Sequence, residues 1–285
     1  MVSHNLLLTG IPRSGTTLTC SLLNRLPQVL ALIEPMDMRA LTAAGSEAER
    51  IRYITGYLAA IRQDALERGV APAKLLVGDG TNTFATNTDG KRASSIQGDA
   101  TVPHGKDLKE DFTLVVKHPN AFAALLPELV AHFRCVALVR NPLAVLASWN
   151  SLDHPLSRGH APMAEAFDSN LAGRLRQEDD HLSRQLLLLD WYFSQFISRL
   201  PANQVLRYED IIATSGRALS VIAEAADTLP AAADLRLQSQ NVNHLYHDLE
   251  AIEKAADLLL ADESNGCWQL YDQVAVHALK TALLE

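Results

Sequence analysis

Positive charge is what this 285-residue chain has least to spare: 25 lysines and arginines stand against 33 acidic residues, a formal net charge of -8. That excludes a global basic field of the kind that draws nucleic acid or anionic membrane. An anionic ligand must then be held by a local cluster of cations and backbone amides. Cysteine is also scarce. Cys20, Cys135 and Cys267 are odd in number and far apart, with no CxxC pair and no metal spacing with histidine. They read as reduced thiols in the interior of a cytoplasmic protein. Long apolar runs are missing too. Leu6 to Leu8 is too short for a signal peptide or a membrane span, and no other charge-free stretch approaches one. No internal repeat is visible.

What is there is ordinary for a folded domain. Hydrophobic residues make up 48% of the chain, enough for one sizeable core over 1–285. Short apolar runs at Asn5–Thr9, Gln28–Ile33, Phe112–Val116, Cys135–Val139 and Gln204–Arg207 read as strands. Helical patterns lie between them. One should begin near Gly15 and end before Pro27. Others cover Ser46–Arg68, Ala121–His132, a start at Asn141-Pro142, and a long stretch over Met163–Arg199. Most of the remainder to Glu285 is helical. Strands alternating with helices predict an α/β fold, a parallel sheet flanked by helices with a helical C-terminal part. Gly78–Asp111 departs from the pattern. It is polar, rich in Gly, Thr, Asn, Asp and Ser, and reads as a long irregular loop, either a surface insert or an active-site lid.

The strongest local signal is GIPRSGTT, Gly10 to Thr17, in the strand-loop-helix setting of a phosphate loop. Gly10 and Gly15 allow a tight turn. Amides around Ser14, Gly15, Thr16 and Thr17 face an anion at the positive end of the following helix. The glycines match the spacing GxxxxGK[ST], but Thr16 stands where a lysine would reach the β/γ-phosphates of a nucleoside triphosphate. The cation is Arg13, inside the loop. A second anion site follows the fourth strand in VALVRNPLAVLASW. Arg140 leaves the strand at the edge where α/β sheets bind ligands. Ser148, eight residues on, shares a phosphate with it if its hydroxyl faces the same mouth.

Two anion sites on one sheet edge imply a ligand with phosphates at two separated positions. Together these motifs resemble those of sulfotransferases that use PAPS (3′-phosphoadenosine 5′-phosphosulfate) and release PAP. GIPRSGTT resembles the 5′-phosphosulfate loop, RNPLAVLAS the 3′-phosphate site, and LRYEDI the tyrosine-bearing strand end near the nucleotide. The resemblance runs from Asn5 to Ile211. It implies that Arg13, Ser14, Gly15, Thr16 and Thr17 hold the 5′ end and that Arg140 and Ser148 hold the 3′-phosphate. Tyr208 would lie by the adenine or the 3′ end, and Arg13 and Lys117 would stabilise charge. The sequence also departs from the cytosolic branch. Ala261, Asp262 and Glu263 precede Gly266-Cys267-Trp268, where that branch carries an Arg-Lys-Gly clamp. This favours likeness to the bacterial and tyrosylprotein branches.

Two residues compete to be the general base. Glu34 ends the second strand 21 residues after Arg13, as the tyrosylprotein branch's glutamate does. At a sheet edge facing a pocket its pKa would be raised. His118, next to Lys117 and 22 residues before Arg140, resembles the cytosolic branch's histidine and needs less tuning. Arg13 and the Lys117-x-Pro119 pattern favour Glu34. His104 is a third candidate. His244 and His247 lack ligand company and read as surface histidines, so no metal is expected. Leu186–Leu189 and the aromatics Trp191, Tyr192, Phe193 and Phe196 read as core. Two rival readings remain. A P-loop kinase or NTPase needs the missing lysine and an acidic magnesium site. A non-catalytic nucleotide-binding module would have no need of Glu34, Lys117 or His118. The acceptor, a hydroxyl or amine on a metabolite, sugar, lipid or peptide, is not specified, and the net charge disfavours polyanionic glycans.

Overall fold

A computed structural model describes residues 4–76, 84–86, 92–224, 226, 229, 237–246 and 248–285. Five parallel strands form the central sheet: β1 (Asn5–Gly10), β2 (Val29–Ile33), β7 (Thr113–Lys117), β8 (Arg134–Val139) and β9 (Val205–Arg207), in the order β2-β7-β1-β8-β9. Alternate residues of each strand enter opposite cores. Leu7, Leu114, Val116, Ala137 and Val139 pack on one face. Leu6, Leu8, Val115, Val136 and Leu138 pack on the other. Burial on both faces is why these runs are apolar throughout. Each buried leucine contributes roughly 2 kcal/mol. All three cysteines are buried thiols within these cores.

Helix α1 (Thr16–Leu23) follows β1 directly, with left-handed Gly15 as its N-cap. Helix α2 (Met38–Ala43) follows β2. Helix α3 (Glu47–Gln63) starts on a reciprocal capping box between Ser46 and Glu49. The 121–132 region is two short helices, α4 (Pro119–Ala124) and α5 (Leu126–Leu129), because Pro127 has no N–H to carry the first onward. Helix α6 (Pro142–Asn150) is capped by the Asn141 side chain with Pro142 at its first position. The long helical stretch expected over 163–199 is divided into α7 (Pro162–Phe167), α8 (Ser169–Gln177) and α9 (His181–Arg199). Asp168 caps α8 and Asp180 caps α9. After β9 come α10 (Tyr208–Ala213), α11 (Leu249–Ala261) and α12 (Gln273–Leu284). No described helix is long and apolar enough to cross a membrane.

The irregular loop expected over 78–111 is corrected. Its described parts carry strands: β4 (Phe84–Thr86) pairs with β5 (Arg92–Ser94), and β6 (Ile96–Pro103) pairs antiparallel with β3 (Val70–Leu76). Residues 78–83 and 87–91 lie outside the described residues. β6 alternates between half-buried and exposed positions, so its outer face is polar. Apolar content alone therefore gave no strand signal.

The glycine that ends β1 gives a direct test. At Gly10, φ is +152°, and an added Cβ would sit 2.6 Å from the Leu138 carbonyl oxygen. Gly69 also has positive φ, but nothing lies within 4 Å of its added Cβ. Gly10→Ala should lower the unfolding free energy by about 2–4 kcal/mol through strain and overpacking. Gly69→Ala should cost only about 1 kcal/mol. Urea denaturation of the two variants checks the ranking.

Candidate active site

The strand order sets five carboxyl ends side by side. In sequence across the edge they present Glu34 after β2, Lys117 and His118 at the end of β7, the 10–17 loop after β1, Arg140 after β8, and Tyr208 after β9. The loop therefore sits between Lys117 on one side and Arg140 on the other. Its backbone is fixed to β8: the Ile11 N–H and the Ser14 hydroxyl both donate to the Leu138 carbonyl, at 2.9 and 3.0 Å. The indole N–H of buried Trp149 donates to the Pro12 carbonyl at 2.9 Å. Gly15 is left-handed (φ +91°), and a Cβ there would meet the Tyr208 ring at 2.7 Å. Tyr208 is thus the wall behind the loop, and only glycine fits against it.

Three described non-glycine residues have positive φ: Arg13 at 77°, Glu34 at 48° and Ser215 at 57°. Two of the three are the charged residues that the sequence singles out. Such backbone strain costs of order 1–3 kcal/mol per residue and gathers at functional sites.

Lys117 is 2% exposed. Its ammonium donates to Glu34 Oε1 at 2.7 Å and to the Thr17 hydroxyl at 3.4 Å. Burial would raise the Glu34 carboxyl, but the charge and hydrogen bond of Lys117 outweigh it and hold the group below its ordinary value. The expected upward shift of Glu34 is thereby corrected: the ion pair, invisible in sequence, decides the sign. The turn bearing Glu34 is pinned from several sides. The Glu34 N–H donates to the Lys117 carbonyl at 2.8 Å. The Met36 N–H donates to His118 Nε2 at 3.1 Å. The Tyr57 hydroxyl donates to the Pro35 carbonyl at 2.7 Å.

His118 is buried, and its Nε2 lone pair is taken by Met36, which assigns the ring proton to Nδ1. Burial lowers its pKa to about 3, against the opposing pull of Glu34. His104 lies apart from the cavity at this edge. Its ring bonds the Ala65 carbonyl and accepts from the Lys106 N–H, so it ties down a turn. His244 is exposed and His247 lies outside the described residues. Trp191, Tyr192, Phe193 and Phe196 are core residues and do not line the cavity.

On the other flank the geometry differs from the simplest expectation. Ser148 is fully buried and accepts from Arg13 Nε at 3.3 Å and Arg92 Nη2 at 3.1 Å. Arg140 is turned away from it. It donates to the Arg13 carbonyl at 2.9 Å, to Asn241 Oδ1 at 2.8 Å and to the Gln240 carbonyl, and stacks over the Tyr208 ring at 4.8 Å. Arg13 also lies over the Phe84 ring at 4.9 Å. Burial, then Arg92 and Arg140, push the Arg13 guanidinium down to about 9, so it is still charged at neutral pH. Sequence reasoning missed Arg92, Phe84 and Tyr246. The first two come from the segment read as an irregular loop, which contained no motif to single them out.

A cavity of about 730 Å³ spans these groups. Beyond Glu34 and Lys117 it is lined by Met36, Met38, Phe84, Leu156 and Met163. Every methionine after the first residue of the chain is among them.

A model of the sulfotransferase domain matches residues 3–223. No curated protein matches the chain. One solved structure that it resembles is the sulfotransferase domain from the Synechococcus PCC 7002 olefin synthase. The identity is 15% with a TM-score of 0.38, over 99% of this chain and 94% of that one.

The buried neutral His118 makes a pH prediction. An unfolded-chain histidine protonates near 6.5, whereas in the folded protein His118 stays neutral down to about 3. Its contribution to stability is therefore complete above about 6.5 and is lost as pH falls towards 3. Between pH 7 and 5 the native protein should lose about 2 kcal/mol more unfolding free energy than His118→Gln, measured in urea. Equal losses would contradict the buried neutral assignment.

Proposed function

The chain belongs to the sulfotransferase domain family, and from that premise we propose that it moves a sulfuryl group from PAPS to a hydroxyl or amine acceptor, without a metal ion. The carrying observation is the row of strand ends, which sets a phosphate loop with Thr16 in place of the NTPase lysine between a Lys117–Glu34 pair and an arginine cluster. The donor supplies the activated sulfate. The loop amides from Gly15 to Thr17 and Arg13 hold its 5′ end, the Ser14 N–H being taken by the Ile11 carbonyl at 2.9 Å, and Arg140 lies on the flank that takes the 3′-phosphate, with Ser148 buried behind Arg13. The left-handed Gly15 lets the loop backbone pack against the Tyr208 ring and turn its amides towards the helix start. Glu209, which accepts from the Asn141 N–H next to Arg140, also accepts from the Asn241 amide and the Tyr271 hydroxyl. That leaves this flank to bind anions.

Transfer forms a bond from sulfur to the acceptor oxygen or nitrogen and breaks the bond from sulfur to the bridging oxygen. PAP leaves with the electron pair, and the acceptor proton goes to Glu34. Arg13 and Lys117 offset the negative charge on the sulfonyl and leaving oxygens. The same ammonium sets the base. While Lys117 sits on Glu34 the carboxylate is ionised and weakly basic. Drawing Lys117 towards the sulfonyl oxygens removes the interaction that lowers the Glu34 pKa, so its proton affinity rises as the donor is engaged. His118 acts as a positioning residue: with Nε2 committed to Met36, it holds the turn that carries Glu34.

The acceptor half of the cavity favours a neutral, apolar body. Met36, Met38 and Met163 present flexible, polarisable side chains beside Glu34 and adapt to varied shapes. Lys74, the further cation there, is already paired with Asp99 at 2.5 Å.

The test is turnover of PAPS with a panel of neutral alcohols, phenols and amines. Glu34→Gln should lower kcat by about 10²–10⁴ while leaving PAP affinity unchanged. His118→Gln should stay within about tenfold of the native rate. A preserved rate in Glu34→Gln with loss in His118→Gln would transfer the role of base to the histidine.

A further inference from the structure

Two polar side chains line the cavity without a part in the transfer step: Asn120, in the first turn of α4, and His154, which caps the short turn Pro155–Arg158. Each has spent its hydrogen-bond acceptor on the protein. Asn120 Oδ1 accepts from the Tyr192 hydroxyl, which has no other acceptor among the described residues. The amide oxygen therefore faces the core and Nδ2 carries the free donors. His154 Nδ1 accepts from the Leu156 N–H at 3.4 Å, which places the ring proton on Nε2. Burial lowers the His154 pKa against the pull of Glu34, so the ring is neutral. Neither Asn120 Nδ2 nor His154 Nε2 has a partner among the described residues, and neither is sealed from solvent.

One helix, α9, supports both donors. Its Tyr192 orients Asn120. Its fully buried Gln185 donates from Nε2 to the Leu156 carbonyl at 3.0 Å, the Ser157 carbonyl at 3.3 Å and Asn150 Oδ1 at 3.1 Å. The neighbouring Arg184 donates to the Arg158 carbonyl at 2.9 Å. The turn that follows His154 is thus tied down along its length. Phe84 meets the His154 ring edge-on at 5.5 Å. These are preorganised donors on a rigid support. The other side chains nearby, Met36, Met38, Met163, Phe84 and Leu156, are apolar.

A substrate group placed against two donors must accept without donating. A hydroxyl would bury its own O–H, because Asn120 Oδ1 and His154 Nδ1 are committed inward and the apolar side chains offer nothing. A carboxylate would bring a second negative charge towards Glu34, and Lys74 is already paired with Asp99. An aliphatic amine as the reacting group would arrive as a cation in a cavity lined by Arg13, Lys74 and Lys117. A neutral carbonyl meets every condition. We propose that Asn120 Nδ2 and His154 Nε2 bind carbonyl oxygen on the acceptor, and that the preferred acceptor is a hydroxyl compound that also carries an ester or ketone. The assignment narrows the acceptor class and rests on the PAPS reading of the site.

The experiment measures kcat/KM of the full chain with PAPS and matched acceptors: methyl esters of straight-chain hydroxy acids, graded in the spacing of hydroxyl and carbonyl, each beside the methoxy ether of the same length. With the native protein the best ester should exceed its ether by about tenfold or more. His154→Asn keeps an oxygen for the Leu156 N–H and deletes the ring donor. Asn120→Asp keeps an oxygen for Tyr192 and replaces the amide donor with an acceptor. Each should cut the ester-to-ether ratio by about threefold to tenfold, with PAP affinity by calorimetry unchanged. His154→Gln, whose amide N–H reaches towards the position of Nε2, should keep most of the ratio. A native ratio near one, or a ratio that survives in both donor-deleting variants, overturns the proposal. If one of these variants fails to bind PAP the other decides, and if both fail the native ratio decides. A native protein that binds PAP but transfers to none of the esters removes this proposal alone. One that binds no PAP removes the PAPS reading and this proposal with it.

Discussion

The Leu138 carbonyl is the anchor from which the site is built. It accepts from the Ile11 N–H and the Ser14 hydroxyl, and it lies where any side chain on Gly10 would have to be. Each such bond contributes only about 1 kcal/mol net, so the anchor's importance is geometric. It locks the turn after β1 to the neighbouring strand, and the parallel register then determines what flanks the loop. Gly10 pairs with Leu138, and Leu8 pairs with Lys117 on the other side. Lys117 and Arg140 fall on opposite sides of the 10–17 loop because strands β7 and β8 do. Neither position depends on a loop finding its own conformation.

Upon that edge the chain places charges that are incomplete by themselves. Lys117 satisfies Glu34 at 2.7 Å. Arg13 is depressed by burial and by the two arginines near it, a cluster that the folded chain tolerates at a cost and that an anion would relieve. Left-handed backbone at Arg13 and Glu34 adds to that stored cost. The buried strands of both cores supply the stability against which such strain is held.

Much of the architecture is legible in the sequence because it rests on local chemistry. Strand ends read from apolar runs fall within about one residue of those observed. The cap at Asn141-Pro142 and the stop after β1 follow from residue type alone. Glu34, Lys117, Arg13, Arg140 and Tyr208 were readable as strand-end residues. The ion pair was not, since residues 34 and 117 meet only through the register of β2 on β7. Nor was Arg92, which reaches Ser148 through a single bridge to residue 152 from a polar segment without periodicity. The turning of Arg140 towards Gln240 and Asn241 depends on the chain beyond β9, which carries no motif at those positions. The methionines did leave a signal. Two of them flank Asp37 immediately after Glu34, in a chain that has four.

The claim on which the account turns is that this sheet edge holds a nucleotide phosphorylated at two separated positions rather than a magnesium nucleoside triphosphate. Calorimetric titration of the purified protein with PAP, beside ATP with and without magnesium, addresses it directly. The account predicts that PAP binds more tightly than ATP by about tenfold or more, with no requirement for magnesium. ATP binding that depends on magnesium, with no response to PAP, would contradict it and return the loop to phosphoryl transfer.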